Sequence, residues 1–436
     1  MTTSREWTSD SVRRFAGDLD PIEAMESKAR EVALMAMDLG WSGPPFDPVR
    51  LAELLGIDVE ARDDVKDARL VPQGQRYKIQ FNPSRPRGRI HFSIAHEISH
   101  TYFPDASHRI QHRQGPSALH DDWQVEMLCN IGAAELLMPV GSFQELSGSA
   151  PSIESLLDMR KELQVSAEAL FIRYAKLSKV RCAAFSASGL QARGSDRYRL
   201  DYVIGSPSWS SPIETGELLP EEAAVHECVA LGFTAKGSIK TPTTKLRVEA
   251  VGLPPYPSTG RQRAAGLIWQ ADTRTQPDAI HYLRGDALSP RGQGQKLLVQ
   301  VVNDQTTNWG GAGFAAAVKK KWPDAHRCFV SEVHASGRQA LRLGSVSEVA
   351  ISDNLHLISI VAQRGYGPSD QPRIRYAALR KGLEVTAERA ATKGATVHMP
   401  RLGTGNAGGS WDIVSELIKD LLVRRGIEVT VYDLPS

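Results

Sequence analysis

Cysteine is scarce in this sequence: four residues in 436, at positions 129, 182, 228 and 328. None forms a CxxC pair with another. A zinc ribbon is therefore excluded, and so is the dense pairing of a disulfide scaffold. Reduced thiols in a cytoplasmic chain are the expectation. Excess charge is also lacking. The formal net charge is +2, which leaves no strong electrostatic footprint for nucleic acid. No uninterrupted apolar run approaches the ~18 residues that a membrane span needs. The opening stretch MTTSREWTSDSVRRF has no apolar core of a secretion signal. These absences predict a cytoplasmic protein with no membrane partner. Internal repeats and low-complexity tracts are missing, and no Gly-Lys-Ser/Thr closes a phosphate-binding P-loop.

What remains is an ordinary globular composition, 41% hydrophobic and 23% charged. At roughly 100–200 residues per domain, about three domains are expected. Helical spacing of Ile22, Met25, Ala29, Val32, Ala33 and Ala36 predicts an amphipathic helix over 20–39. Asp47-Pro48 caps a second helix that ends before Gly56. Residues 77–82 have strand character and stop at Pro83. A third helix is predicted over 90–103, ended by Pro104, and a fourth from Asp121–Asp122 to Pro139. Two short helical patterns in 151–179, separated by Gln164-Val165 with Ser166 as an N-cap, have the proportions of a helix-turn-helix. A packing element of the preceding domain reads equally well. Strand-like, turn-rich sequence follows from 180, including a Pro-rich loop at 253–260. Residues 289–295 look like a linker. Beyond them strands and helices alternate to the end, as in an α/β sandwich.

The third predicted helix carries His96-Glu97-Ile98-Ser99-His100. Residues four apart on a helix share a face, so His96 and His100 can grip one metal ion. Glu97, beside that face, is placed to act as a base. Catalytic zinc takes three protein ligands and keeps one position open. The spacing thus predicts Zn2+ and metal-assisted hydrolysis of a peptide bond. The third ligand is less direct. Phe103 and Ala106 stand where the three-histidine metzincin pattern needs glycine and histidine. Glu126 and Glu135 are nine residues apart in the next helix, hence on opposite faces, so only one can face the metal. Asn130 shares the face of Glu126. Asp105, His108, His112 and His120 are looser candidates, and Tyr102 or His108 could stabilise an oxyanion.

The run 92–100, taken with Glu126-Met-Leu-Cys-Asn130-Ile-Gly-Ala-Ala-Glu135-Leu-Leu-Met-Pro139, resembles the ImmA/IrrE metallopeptidases over about residues 20–180. That resemblance implies that Glu126 is the third ligand and Glu135 a structural residue. It also implies a repressor-like protein substrate in a stress or defence response. IrrE-type members continue into a GAF-like domain, which suits 181–288, although no residue-level match is found there.

Two glycine-rich loops occupy strand-to-helix junctions near the end of the chain. One runs through Asn303, Asp304, Gly310, Gly311, Gly313 and Phe314. The other runs through Gly403, Thr404, Gly405, Asn406, Ala407 and Gly408. Glycines let backbone N–H groups approach phosphate oxygens, and helix N-termini favour anions. Residues 296–436 are similar to macro domains. The likeness implies ADP-ribose, or an ADP-ribosylated protein, as partner, with Asn303 and Asp304 near ribose or adenine and both loops on the diphosphate. It departs from the terminal ADP-ribose glycohydrolases in two places. Ala407 replaces their aspartate, and 341–347 lacks their lysine. Binding is therefore expected rather than hydrolysis.

The architecture expected is α+β and multidomain. A zincin-like peptidase over 1–148 is followed by a helix-turn-helix-like segment over 149–180 and a β-rich middle domain over 181–288. A linker at 289–295 leads to an α/β/α macro domain over 296–436. The function expected is a zinc endopeptidase whose macro domain senses ADP-ribose or a related nucleotide. Two other readings compete: an ADP-ribosyl hydrolase or reader with the peptidase half as scaffold, and a regulator bound to DNA through 149–180.

Overall fold

The structure, a computed structural model, describes residues 7–74, 76–107, 122–143, 152–178, 180–190, 198–210, 212–220, 223–228, 231–241, 244–255, 261–270, 280–310, 313–367, 369 and 371–434. The chain divides into two compact units. One comprises Met1–Ala33 and Trp41–Gln276, the other Leu34–Gly40 and Pro277–Ser436.

The first unit begins with helix α1 (Asp10–Ala16), α2 (Pro21–Asp38) as far as Ala33, and α3 (Pro48–Leu54). The Asp47 side chain caps α3 by accepting from the Val49 amide. Strands β1 (Asp58–Ala61), β2 (Ala68–Gln73) and β3 (Arg76–Phe81) form a sheet in the order β1-β3-β2. Helix α4 (Arg87–His100) packs on β2 and β3 and on α5 (Asp122–Leu137). The sequence predicted α4 over 90–103. It starts three residues earlier because Pro86 supplies the extended N-cap and leaves Arg87 free to open the first turn. It ends at His100, where the Thr101 amide turns back to Ile98 and Ser99.

Helices α6 (Ile153–Leu163) and α7 (Ala167–Leu177) form the expected pair. Ser152 and Ser166 cap them, and Gln164 turns between them in the left-handed conformation, φ 54°. Helix α7 buries Leu170, Phe171, Arg173 and Tyr174 and packs on strands β4 (Cys182–Gly189), β5 (Tyr198–Gly205) and β8 (Arg263–Gln270), while Arg173 reaches Glu135 and the Met138 carbonyl. With β6 (Thr234–Lys240) and β7 (Lys245–Leu253), these strands make an antiparallel sheet in the order β5-β4-β8-β7-β6. Of the Pro-rich loop, 256–260 lies outside the described residues, as does 149–151 of the predicted helical segment.

The second unit is a six-stranded sheet in the order β11-β12-β10-β13-β14-β9. Its strands are β9 (Ile280–Arg284), β10 (Lys296–Asn303), β11 (Val346–Ser352), β12 (Leu355–Gln363), β13 (Thr396–Pro400) and β14 (Val429–Asp433). All pairs are parallel except β11 with β12. Helices α8 (Gly313–Lys321) and α9 (Pro323–Ser336) cover one face, where Val318, Phe329 and Val333 meet Leu298, Val302 and Leu357. Helix α10 (Tyr376–Lys393) lies on the other, with α11 (Trp411–Leu421) packed beside it. A Cβ on Gly382 of α10 would fall 2.2 Å from Ile360 Cγ2 of β12, so glycine sets that close helix–sheet approach. The layering is α/β/α, as the alternation predicts.

One expectation is corrected. Sequence texture places residues 280–284 in the β-rich middle domain, but β9 pairs in parallel with β14 and extends the C-terminal sheet. A strand's partner is set by contacts distant in sequence, and local texture cannot reveal it. Among the described residues, no helix is long and apolar enough to cross a membrane.

Candidate functional site

Helices α4 and α5 bring three predicted ligands together. His96 Nε2 lies 3.0 Å from Glu126 Oε2 and 3.1 Å from His100 Nε2, and His100 Nε2 is 3.5 Å from Glu126 Oε1. These atoms form a group able to hold one metal ion. Zinc at ~2.0–2.1 Å from each ligand would set tetrahedral ligand–ligand separations near 3.3 Å, close to those found. His96 Nδ1 lies 2.9 Å from Asn130 Oδ1. That contact orients the ring and turns Nε2 toward His100 and Glu126, the side on which a metal would bind. Glu97 is buried, and its Oε2 has no hydrogen-bond partner among the described residues. A carboxylate so placed beside a metal-binding face suits a base better than a packing group.

The close approach of α4 and α5 depends on Gly132, which sequence reasoning passed over. A Cβ there would sit 2.5 Å from Ser99 Oγ and 2.9 Å from Met25 Sδ. Its signal was legible, since glycine inside a helix costs about 1 kcal/mol relative to alanine and usually has a packing reason. Glu135 points elsewhere. It is buried, ion-paired with Arg173 of α7 and 3.9 Å from Arg30 of α2. Asp105 accepts from the Ser11 hydroxyl. Tyr102 packs with Phe103, Val125 and Leu128, and burial pushes its phenol pKa up. His108, His112, His120 and Asp121 lie outside the described residues.

His96, Glu97 and Asn130 open into a cleft of about 1310 Å³. Its walls come from the start of α4, the α6–α7 turn, and the β6–β7 side of the antiparallel sheet, including Leu231 and Leu253. Residues 52–174 match the Peptidase_M78 family, described as an IrrE N-terminal-like domain. This segment is an M78 peptidase domain. The expectation from the His96–Asn130 motifs is thereby met at the level of a metallopeptidase family. The matched stretch of the M78 domain contains both α4 and α5 and runs through most of α7.

In the second unit a separate cavity of about 710 Å³ is lined by Asn303, Gly310, Gly313, Phe314, Gly403, Gly405, Asn406 and Ala407. Gly311 lies outside the described residues. Gly313 and Gly403 have φ of 80° and 69°, a region that favours glycine. A Cβ on Gly313 would lie 3.7 Å from Asn406 Nδ2, so the two loops meet there. Several predicted contacts have internal duties. Asn303 Oδ1 accepts from the Gln305 and Thr306 amides at 3.0 and 2.9 Å. Asp304 Oδ1 accepts from the Gly365 amide at 2.7 Å. Thr404 donates to the Arg401 carbonyl, and the Gly408 amide to the Gly405 carbonyl. Tyr366 and Arg401 also line the cavity and were not anticipated. Tyr366 is exposed, whereas Arg401 is paired with Asp433 through two bonds of 2.7 and 2.8 Å and stacks on Trp411.

Solved structures similar to the chain include a macrodomain protein from Streptomyces coelicolor, 39% identical, covering 35% of this chain and 98% of that one with a TM-score of 0.30. A protein of unknown function from Bacteroides thetaiotaomicron is 38% identical, covers 36% and 98% respectively, and has a TM-score of 0.33. Macrodomain proteins of this kind cover the C-terminal part. Among curated proteins, the chain is similar to chromodomain-helicase-DNA-binding protein 1-like from Danio rerio, 27% identical over 169 residues. That match takes in 37% of this chain, and the chain spans only 16% of that relative's length.

Proposed function

We propose that the M78 domain is a zinc endopeptidase in which His96, His100 and Glu126 hold the metal and Glu97 is the general base. The observation that carries this reading is the cluster of three ligand atoms, with the buried Glu97 next to His96 on the same helix and its Oε2 without a partner among the described residues. Zinc, when bound, would polarise the scissile carbonyl and acidify water. The chain's own residues do the rest. Asn130 holds the His96 ring in its metal-ready tautomer, and Glu97 takes the proton from the attacking water and passes it to the leaving amine. The cleft orients the peptide. The protein substrate proposed is repressor-like, and the setting a stress or defence response. The deciding experiment is metal analysis of purified protein together with hydrolysis of a repressor-like substrate. Bound zinc, with cleavage abolished by chelation and restored by zinc, is the expected result. Cleavage insensitive to chelation would end the proposal.

For the second unit the reading is a module that binds ADP-ribose or a related nucleotide. The two glycine loops and the exposed Tyr366 ring around one cavity suit a diphosphate flanked by rings. Ala407, in the cavity wall, offers neither an acid nor a nucleophile, which favours binding over ADP-ribosyl hydrolysis. Calorimetry with ADP-ribose tests this reading, and release of ADP-ribose from modified protein would favour the hydrolase. The DNA-bound reading needs a helix with a free face. Helix α7 instead packs four side chains into the first unit's core, which supports the packing alternative. Salt-dependent binding of duplex DNA would reverse that preference.

A further inference from the structure

The cleft over His96 has a wall whose charge the proposed chemistry does not use. Five cations line it: Arg87, Arg89, Arg160, Lys161 and Arg263. Three anions line it as well: Asp67, Glu97 and Glu168. Two of the cations are neutralised in place. Arg89 pairs with Asp67 through two bonds of 2.7 Å, and Arg263 pairs with Glu168 at 2.6 Å. Among the described residues Lys161 pairs with Asp158, and both side chains of that pair are at least 70% exposed, so water screens it. Arg87 and Arg160 form no ion pair among the described residues. The one lining anion left over is Glu97, which belongs to the proposed site.

The surplus is concentrated by the backbone. Arg87 opens α4, and Arg160 and Lys161 occupy the last turn of α6. The two helix ends abut, since a Cβ on Gly88 would lie 3.0 Å from the Gln164 carbonyl oxygen in the α6–α7 turn. Gly88 thus lets the two basic helix ends converge on one side of the cleft. The same cleft is also lined by Leu231, 68% exposed, and by Leu253 with Pro254. A cleft that offers both unpaired cations and apolar surface suits a chain that presents carboxylates together with hydrocarbon.

We infer that this cleft selects a peptide segment bearing acidic side chains, held by Arg87, Arg160 and Lys161 beside the scissile region. The inference deepens the proposed peptidase function and rests on it for the meaning of the cleft. Its test is made by binding, without cleavage. The full chain carrying Glu97→Gln is loaded with zinc and titrated into two fluorescein-labelled dodecapeptides of one leucine-rich host sequence. One peptide carries two glutamates and the other two lysines. Fluorescence anisotropy at low salt should show the glutamate peptide bound about tenfold more tightly, as expected for two partly screened ion pairs. The preference should shrink as salt rises. Arg87→Glu with Arg160→Glu should reverse it, while Arg327→Glu in the second unit should leave it intact. Equal binding of the two peptides, or a preference that survives the double reversal, overturns the inference. Failure of the peptidase reading looks different. Protein with Glu97 intact would then hydrolyse neither peptide at any zinc concentration, while the charge preference persisted in the anisotropy.

Discussion

The cleft over His96 in the first unit and the cavity in the second unit are lined by different kinds of atoms. Around His96 the working atoms sit on side chains: two imidazoles and two carboxylates projected from α4 and α5. In the second cavity Gly310, Gly313, Gly403 and Gly405 bring two loop backbones to the wall, and the lining Asn303 spends its side-chain oxygen bracing a loop. A site made of side chains fails atom by atom when one residue is changed. A site made of backbone fails mainly when its shape or its charge is changed. The comparison also separates two uses of glycine. Gly132 and Gly88 are needed because helices press against them, whereas Gly313 and Gly403 are needed for their dihedral angles.

The sharpest break in this contrast should come from Glu97→Gln. Removal of the base should lower hydrolysis roughly 1000-fold while zinc content stays at one per chain, since the ligands remain. Metal analysis beside the rate assay checks it. Equal loss of zinc in Glu97→Gln and His96→Ala would mean that Glu97 is a ligand or a support.

The backbone-built cavity should respond to bulk and charge instead. Gly405 has no atom within 4 Å of a would-be Cβ, so Gly405→Glu should fold normally. Its carboxylate would face the diphosphate, and affinity for ADP-ribose should fall roughly 100-fold or more. Calorimetry on the full chain, with an unchanged Tm, is the measurement. Because β9 completes the sheet, a version beginning at residue 290 would lack an edge strand and would confuse the comparison.

A smaller effect is expected one layer out from the metal. Asn130→Ala removes the partner of His96 Nδ1 and should weaken zinc binding about 10–100-fold, read by competition with a chelator. The smallest change at the metal should come from the second glutamate of α5. Glu135→Ala should leave zinc affinity unaltered but lower stability by ~3–5 kcal/mol, because Arg173 would be left buried without its partner. Glu126→Ala should do the opposite, losing zinc at little cost in Tm. If Glu135→Ala releases the metal, the assignment of the two faces is wrong.

How much of this was legible beforehand differed by region. The metal face needed only the 3.6-residue period, because His96 and His100 lie on one short helix whose geometry is local. The opposed faces of Glu126 and Glu135 followed from the same period. The strand-to-helix glycine loops were visible as local turns. The split of α6 and α7 at Gln164 was visible too, but not its use. Only packing shows that this turn walls the cleft and that α7 is sunk into a sheet. The strand β9 was misassigned because its five residues carry no mark of the partner they join 145 or more positions later.

The sequence alone therefore determined the ligand types, their spacing along α4, the asymmetry of α5, and the positions of both glycine loops. Each of these depends on interactions within about one turn or one loop, where covalent geometry leaves few choices. The tertiary structure decided the rest. It seated Glu126 within 3.5 Å of both histidines through the gap at Gly132. It brought Arg87 beside Arg160 across more than seventy residues, and it turned Asp304 into a brace for Gly365. Those outcomes rest on close packing between segments far apart in the chain. Packing density is a property of the assembled core, not of any local run of residues.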